Sequence, residues 1–265
     1  MTTIDNHYSM GDLRTRITQA IRDAGMDPET RLSPEQLAPL DHFHGNGLFG
    51  TRSLAELAKI DQSTRILDVG AGLGGPARYL ASVFGCTVTC LEPILDFCDA
   101  AAMLNEVTGL SSLVSVERGS ALEIPFEDGS YDLVWTQNAT MNIEDKARLF
   151  GEISRVLISG GRYVFNEVSA GPQQPIHLPV PWASSAEMNF LSSAEETRRI
   201  AEHAGFEIVV LDENPPVPPT TDPTAAPNSL SFAVFLPNMA ERMANSQRNI
   251  AEDRTRRLRG VLRAA

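Results

Sequence analysis

Two glycine clusters in this chain share the spacing G-x-G-x-x-G. Gly45, Gly47 and Gly50 form one inside HFHGNGLFGTRS, and Gly70, Gly72 and Gly75 form the other inside ILDVGAGLGGPARYL. Glycine lets a backbone approach a ligand closely, so either cluster has the chemistry of a cofactor cradle. The pattern acquires meaning only between a strand and a helix. RILDV, before the second cluster, reads as a short strand, and Pro76 suits the first turn of the helix that follows. APLDHF, before the first cluster, has no β-branched run. The second cluster is therefore the expected ligand loop. The first is expected to be a helix-entry turn, with Thr51 capping the helix TRSLAELAKI.

Carboxylates narrow the ligand. Glu92 closes the second strand, TVTCLE, where an acidic residue accepts hydrogen bonds from ribose hydroxyls. That suits a nicotinamide dinucleotide and S-adenosylmethionine equally. Asp68 stands directly before the glycine loop, where its charge would repel a pyrophosphate, and this favours the sulfonium cofactor.

The elements that must position these groups alternate. A first helix is predicted in GDLRTRITQAIRDAG, followed by a Pro-containing connector over 26–40. Further strands are predicted at LVSVERG, YDLVWTQ, GRYVFNEV and FEIVVL, and helices at PILDFCDAAAMLNEVTG, NIEDKARLFGEISRVLISGG and SSAEETRRIAEHAG. Asn142 is the expected cap of the second of these helices, with Asp145 at N3. A capping box, Ser193 to Glu196, opens the third. GPQQPIHLPVPW carries four prolines and excludes helix or central strand. ENPPVPPTTDPTAAP reads as an extended linker. AERMANSQRNIAEDRTRR looks helical. RLRGVLRA and LSFAVFL compete for the last strand. Such alternation calls for an α/β fold with a mostly parallel sheet covered on both faces, its ligand beyond the carboxyl ends of the strands.

A net charge of −12 argues against wrapping a nucleic acid. The arginines at 254, 256, 257, 259 and 263 are expected to form a solvated face. No signal peptide and no apolar run of membrane-spanning length is visible, so a cytoplasmic protein is expected. Cys86, Cys90 and Cys98 form neither a disulfide framework nor a zinc set, and no metal is expected.

The linked segments ILDVGAGLGGPARYLA, LEPILDFC, GSALEIPFEDGSYDLVWTQ, IEDKARLFGEISRVLISGGRYVFNEV and AEHAGFEIV resemble the class I S-adenosylmethionine-dependent methyltransferases over roughly residues 60–210. Within that class, GLGGPARYL, NIEDKARLFGEISRVL and the flanks DHFHGNGLFGTRSLAELA and NSQRNIAEDRTRRLRGVL resemble the small-molecule group around sarcosine/dimethylglycine N-methyltransferases. The resemblance implies a doubly wound, mostly parallel, seven-stranded Rossmann-like sheet. It places an N-terminal helical cap over residues 1–60 and the cofactor domain over 61–265, with a lid insertion at 170–192 and a linker at 212–228. Asp68, Gly70 and Gly72 are implied on the methionyl and ribose side. Glu92 is implied at the ribose, Pro93 and Ile94 near the adenine, Ser120, Ala121 and Leu122 at the adenine edge, and Gln137 at the methionyl group. Many relatives carry Asp where Ser120 stands.

The first glycine cluster then falls where this group covers the methionine end, so His44, and less directly His42, can face the substrate. Other acceptor-site candidates lie on irregular segments: Tyr8, Asn138, Met141, Asn142 and Trp182. His44, Glu167 and His177 are the available bases, although an amine acceptor needs none. The expected function is methyl transfer from S-adenosylmethionine to a small-molecule acceptor, amine favoured over hydroxyl or carbon. The expected protein is cytoplasmic, without nucleic-acid or membrane partners, and a homodimer is the assembly to test. The rival readings are an NAD-type oxidoreductase and a non-catalytic methyltransferase-like binding module.

Overall fold

The computed structural model describes residues 12–44, 46–215, 230–234 and 236–265. Tyr8, Gly45 and most of the expected proline-rich linker lie outside the described residues. Three helices come first: α1 (Leu13–Asp23), α2 (Pro34–Asp41) and α3 (Gly47–Ala58). Then β1 (Arg65–Val69), α4 (Gly75–Phe84), β2 (Thr87–Glu92), α5 (Leu95–Val107), β3 (Val114–Arg118) and β4 (Tyr131–Gln137) alternate. The chain continues through α6 (Lys146–Val156), β5 (Leu157–Ala170), α7 (Ala194–His203), β6 (Phe206–Glu213), α8 (Met239–Ala251) and β7 (Thr255–Ala264).

Among the described residues the strands form one seven-stranded sheet in the order β3-β2-β1-β4-β5-β7-β6. β1 to β5 are parallel, and β7 runs antiparallel between β5 and β6. β1 and β4 are buried at nearly every position, as strands covered on both faces must be. The order reverses between β1 and β4, and that switch point opens a crevice at the carboxyl ends of the strands. Gly260 of β7 faces Phe165 of β5, where a Cβ would collide with the aromatic ring.

The expected strands and most helices are present, three local expectations are corrected, and the choice of closing strand is resolved. The 26–40 connector contains α2, with Pro34 at its start and a reciprocal capping box between Ser33 and Gln36. Thr51 does not cap α3. The helix starts at Gly47 and absorbs the second half of the first glycine cluster. Asp145, rather than Asn142, caps α6, accepting from Arg148 N at 2.9 Å. The closing strand is the 255–264 segment, whereas LSFAVFL contributes only a short turn of 3-10 helix at Phe232–Val234.

Three of the C-terminal arginines pair with the neighbouring strand rather than forming only a solvated face. Arg259 pairs with Asp212, Arg263 with Glu207 and Arg256 with Glu213, all across the β7–β6 ladder. Cys86, Cys90 and Cys98 are free and buried.

The helices ahead of β1 are locked to the sheet by a buried ion pair. Arg78 of α4 and Asp41 of α2 are both inaccessible, with Nη2 to Oδ2 at 2.7 Å. Arg78 also donates to Leu73 O and Asn105 Oδ1, and Asp41 accepts from His42 Nδ1 at 2.7 Å. Gly75 makes this docking possible, because a Cβ there would strike Asp41.

Candidate active site

The crevice at the switch point is a cavity of about 620 Å³. The glycine loop after β1 forms its floor. Gly70, Gly72 and Gly74 have φ of 72°, 55° and 74°, conformations that favour glycine. A Cβ at Gly70 would sit 2.5 Å from that of Ala139, whereas one at Gly72 meets no protein atom within 4 Å. Gly72 thus faces the cavity, and Gly70 allows the β1 and β4 loops to approach.

Glu92 is held at the end of β2 by two backbone donors. Gly72 N donates to one carboxylate oxygen at 2.9 Å and Ile94 N to the other at 3.0 Å. Each oxygen retains a lone pair for a ligand. Asp68 lies across the loop with Oδ2 buried and unpartnered. Burial raises Glu92 to about 7. It also raises Asp68 to about 7, with the neighbouring Glu92 charge adding to the shift. Ser120 Oγ accepts from Leu122 N at 3.1 Å, which shapes the turn beside β2 and β3.

Gln137 ends β4 with its amide orientation fixed by its partners. Oε1 accepts from Trp135 Nε1 at 3.1 Å and Thr51 Oγ1 at 3.0 Å, which leaves Nε2 buried without a partner. Thr51 has one hydroxyl hydrogen, and Gln137 takes it. The 3.2 Å contact from His44 Nε2 to Thr51 Oγ1 therefore has the imidazole donating, and Nδ1 carries the lone pair. His44 is lowered to about 3 by burial and then by His42, so it is a neutral ring at ordinary pH.

All ten residues implied at the cofactor line this cavity: Asp68, Gly70, Gly72, Glu92, Pro93, Ile94, Ser120, Ala121, Leu122 and Gln137. His44, Asn138 and Asn142 line it too. Asn142 donates to Trp182 O at 2.7 Å and Met188 O at 3.0 Å, tying the turn after β4 to the proline-rich segment.

The other candidates lie elsewhere. Glu167 is buried behind the turn after β4. It accepts from Thr136 Oγ1 at 2.7 Å and Thr140 N at 3.1 Å, and borders a separate small cavity of about 20 Å³. Burial raises its pKa. Met141 borders that small cavity and packs with Trp182, Val180 and Met188 in a buried cluster. Trp182 donates to Asn189 Oδ1 at 2.8 Å, so it supports the wall that Met188 presents to the main cavity. His177 does not face that cavity. It bonds Glu252 at 2.7 Å, beside Arg248 and Arg254, at the end of α8. Sequence reasoning missed Asp41 and Phe43, which also line the cavity. The capping box at Ser33 was the available signal that a helix delivers them.

Residues 67–165 match the family model described as a methyltransferase domain. That segment, from β1 into β5, is similar to a methyltransferase domain. It is 35% identical over 150 residues to a sarcosine/dimethylglycine N-methyltransferase from Aphanothece halophytica, covering 57% of this chain and 54% of that protein. It is 39% identical over 105 residues to the chloroplastic tocopherol O-methyltransferase of Arabidopsis thaliana, covering 38% and 29%. The fold matches geranyl diphosphate C-methyltransferase from Streptomyces coelicolor with a TM-score of 0.65 at 17% identity, over 82% of this chain and 79% of that one. This chain thus spans about half the length, or less, of the curated relatives it matches.

Proposed function

We propose that this protein binds S-adenosylmethionine and transfers its methyl group to a small-molecule acceptor, with an amine the favoured nucleophile. The observation that carries this reading is the Glu92–Asp68 pair around an open Gly72. Two buried carboxylates with unused lone pairs flank a glycine whose missing side chain leaves ligand space. Glu92 suits the two ribose hydroxyls, and Asp68 tolerates a sulfonium but not a pyrophosphate. The buried, unpaired Gln137 Nε2 offers a hydrogen bond toward the methionyl end.

The bound cofactor supplies a methyl carbon that is already electrophilic. The chain's own residues have only to align the acceptor and exclude water, a contribution reaching roughly 7–11 kcal/mol in well-oriented systems. His44 lines the site, but its lone pair is buried on Nδ1 beside Gly50 and its pKa is lowered to about 3, so it is a weak base, and an amine acceptor needs none. The sarcosine/dimethylglycine N-methyltransferase likeness supports an amine. Residues 1–60 as a cap, a cytoplasmic location and a homodimer belong to the same proposal. Light scattering tests the last.

Calorimetry with S-adenosylmethionine and NAD is the direct test. The sulfonium cofactor binds and NAD does not. NAD binding with equal or higher affinity would reject the assignment.

A further inference from the structure

The cavity has an end that the proposed cofactor residues do not account for. Beyond Gln137 and the glycine loop its wall is Phe43, Ala139, Ile143, Met188 and Phe190, an apolar surface drawn from the end of α2 and from the segments after β4 and around 187–190. Asn142, Glu144 and Glu187 supply polar atoms there, with both glutamates exposed at the rim.

Three of the polar side chains there present acceptors. The Asn142 amide donates to Trp182 O and Met188 O, which leaves its Oδ1 as an acceptor. Glu144 and Glu187 are acceptors with negative charge. Asn138 is the neutral side-chain amide beside them. Among the described residues no lysine or arginine lines the cavity, and all 22 of them fall within those residues. The cation behind this wall is Lys146, whose ammonium borders the small cavity and donates to Ile143 O and to Phe190 O. The buried Arg78 is consumed by Asp41, Leu73 O and Asn105.

We infer that the acceptor of this enzyme is a molecule with an apolar body and no carboxylate, presenting a donor such as an amine, and that amino-acid acceptors are excluded. The inference rests on the methyl-transfer reading above and specifies its substrate class. A carboxylate entering this end would find an apolar wall and two like charges, with the Lys146 ammonium turned to the far side of that wall and held by Ile143 O and Phe190 O, so its desolvation is not offset. An ammonium or neutral amine would approach through the same two carboxylates at an advantage, and its body would cover Phe43, Ile143, Met188 and Phe190. Sarcosine and dimethylglycine are carboxylates. The likeness to enzymes named for them then extends to an amine nucleophile and not to the carboxylate that those two molecules carry.

The test uses the full chain saturated with S-adenosylhomocysteine, titrated by calorimetry with matched pairs. Phenethylamine is paired with phenylalanine, N-methylphenethylamine with N-methylphenylalanine, and hexylamine with 2-aminoheptanoate. Sarcosine and dimethylglycine are titrated alongside. At least one amine binds 100-fold or more tightly than its carboxylated partner, and neither sarcosine nor dimethylglycine comes within 100-fold of it. In a Glu144→Lys/Glu187→Lys variant that preference shrinks at least tenfold. Both positions are exposed, so the fold tolerates the change. The single Glu187→Gln variant shows the same direction with a smaller effect. Carboxylated ligands binding within tenfold of their partners would overturn the inference. So would the absence of any amine binding to a protein that binds S-adenosylhomocysteine, or a preference unchanged by the charge reversal. Failure of S-adenosylhomocysteine itself to bind is read first, and it rejects the cofactor assignment instead.

Discussion

Glu92 and Gly72 make opposite demands on the cofactor. Glu92 offers bonds, so Glu92→Ala removes charge-assisted hydrogen bonds of about 1.5–3 kcal/mol. S-adenosylmethionine affinity measured by calorimetry should fall about tenfold or more, in a protein whose circular dichroism is unchanged. Gly72 offers space. Its φ of 55° and the empty volume beside it mean that Gly72→Val both strains the backbone and fills the ligand's place. Gly129 separates the two effects, because it has φ of 66° and open surroundings in a distant turn. Gly129→Val should lower the melting temperature but leave cofactor affinity within twofold, while Gly72→Val abolishes binding. Equal affinity in the two variants would mean that Gly72 serves only the turn.

Among the elements, the proline-rich segment carries the clearest prediction. Trp182 packs with Met141, Val180 and Met188, and its backbone oxygen accepts from Asn142. Trp182→Ala opens a hole behind the acceptor wall at a cost of about 3–5 kcal/mol. Thermal melts should show the loss, and turnover should fall more than cofactor affinity, because Met188 moves but the glycine loop does not. Normal turnover in the folded fraction would confine Trp182 to stability. The contrast with His177 shows where sequence was sufficient. The β1–loop–α4 unit was legible because its strand, glycines and Pro76 are contiguous, and the same holds for the Ser193–Glu196 capping box. Glu167 and His177 were misplaced because their partners, Thr136 and Glu252, come from other parts of the chain and no spacing announces them. The helix α2 was overlooked because Pro39 inside it reads as a breaker, although Ser33 and Gln36 mark its start. Asn142 lost the capping role to Asp145 because its amide bonds the carbonyls of Trp182 and Met188.

For the whole molecule, the site is a liability that ligand binding relieves. Asp68 and Glu92 titrate near 3.8 and 4.5 when exposed and are both raised to about 7 in the fold. Each therefore binds its proton more tightly in the native state than in the unfolded chain. Their favourable contribution is complete below about pH 4 and is lost as the pH rises through 7. His44 acts on the acid side. Lowered from 6.5 to about 3, it stabilises fully above pH 6.5 and loses that contribution as the pH falls below it. Between pH 6.5 and 8 the two carboxylates act against Lys146, whose ammonium is lowered to about 8 by burial and whose deprotonation adds stability as the pH rises, so the interval is read in a Lys146→Met background. The ligand-free protein should lose melting temperature across that interval, and Glu92→Gln should flatten the loss. S-adenosylmethionine bound to ionised Glu92 reverses the preference, so its binding near pH 7 should release protons. Calorimetry in buffers of differing ionisation enthalpy measures that release, and the melting shift caused by the cofactor should be larger at pH 8 than at pH 6.5. Proton uptake on binding, or a cofactor shift that shrinks with rising pH, would show that the carboxylates are held protonated against the ligand and that Glu92 donates to it rather than accepts.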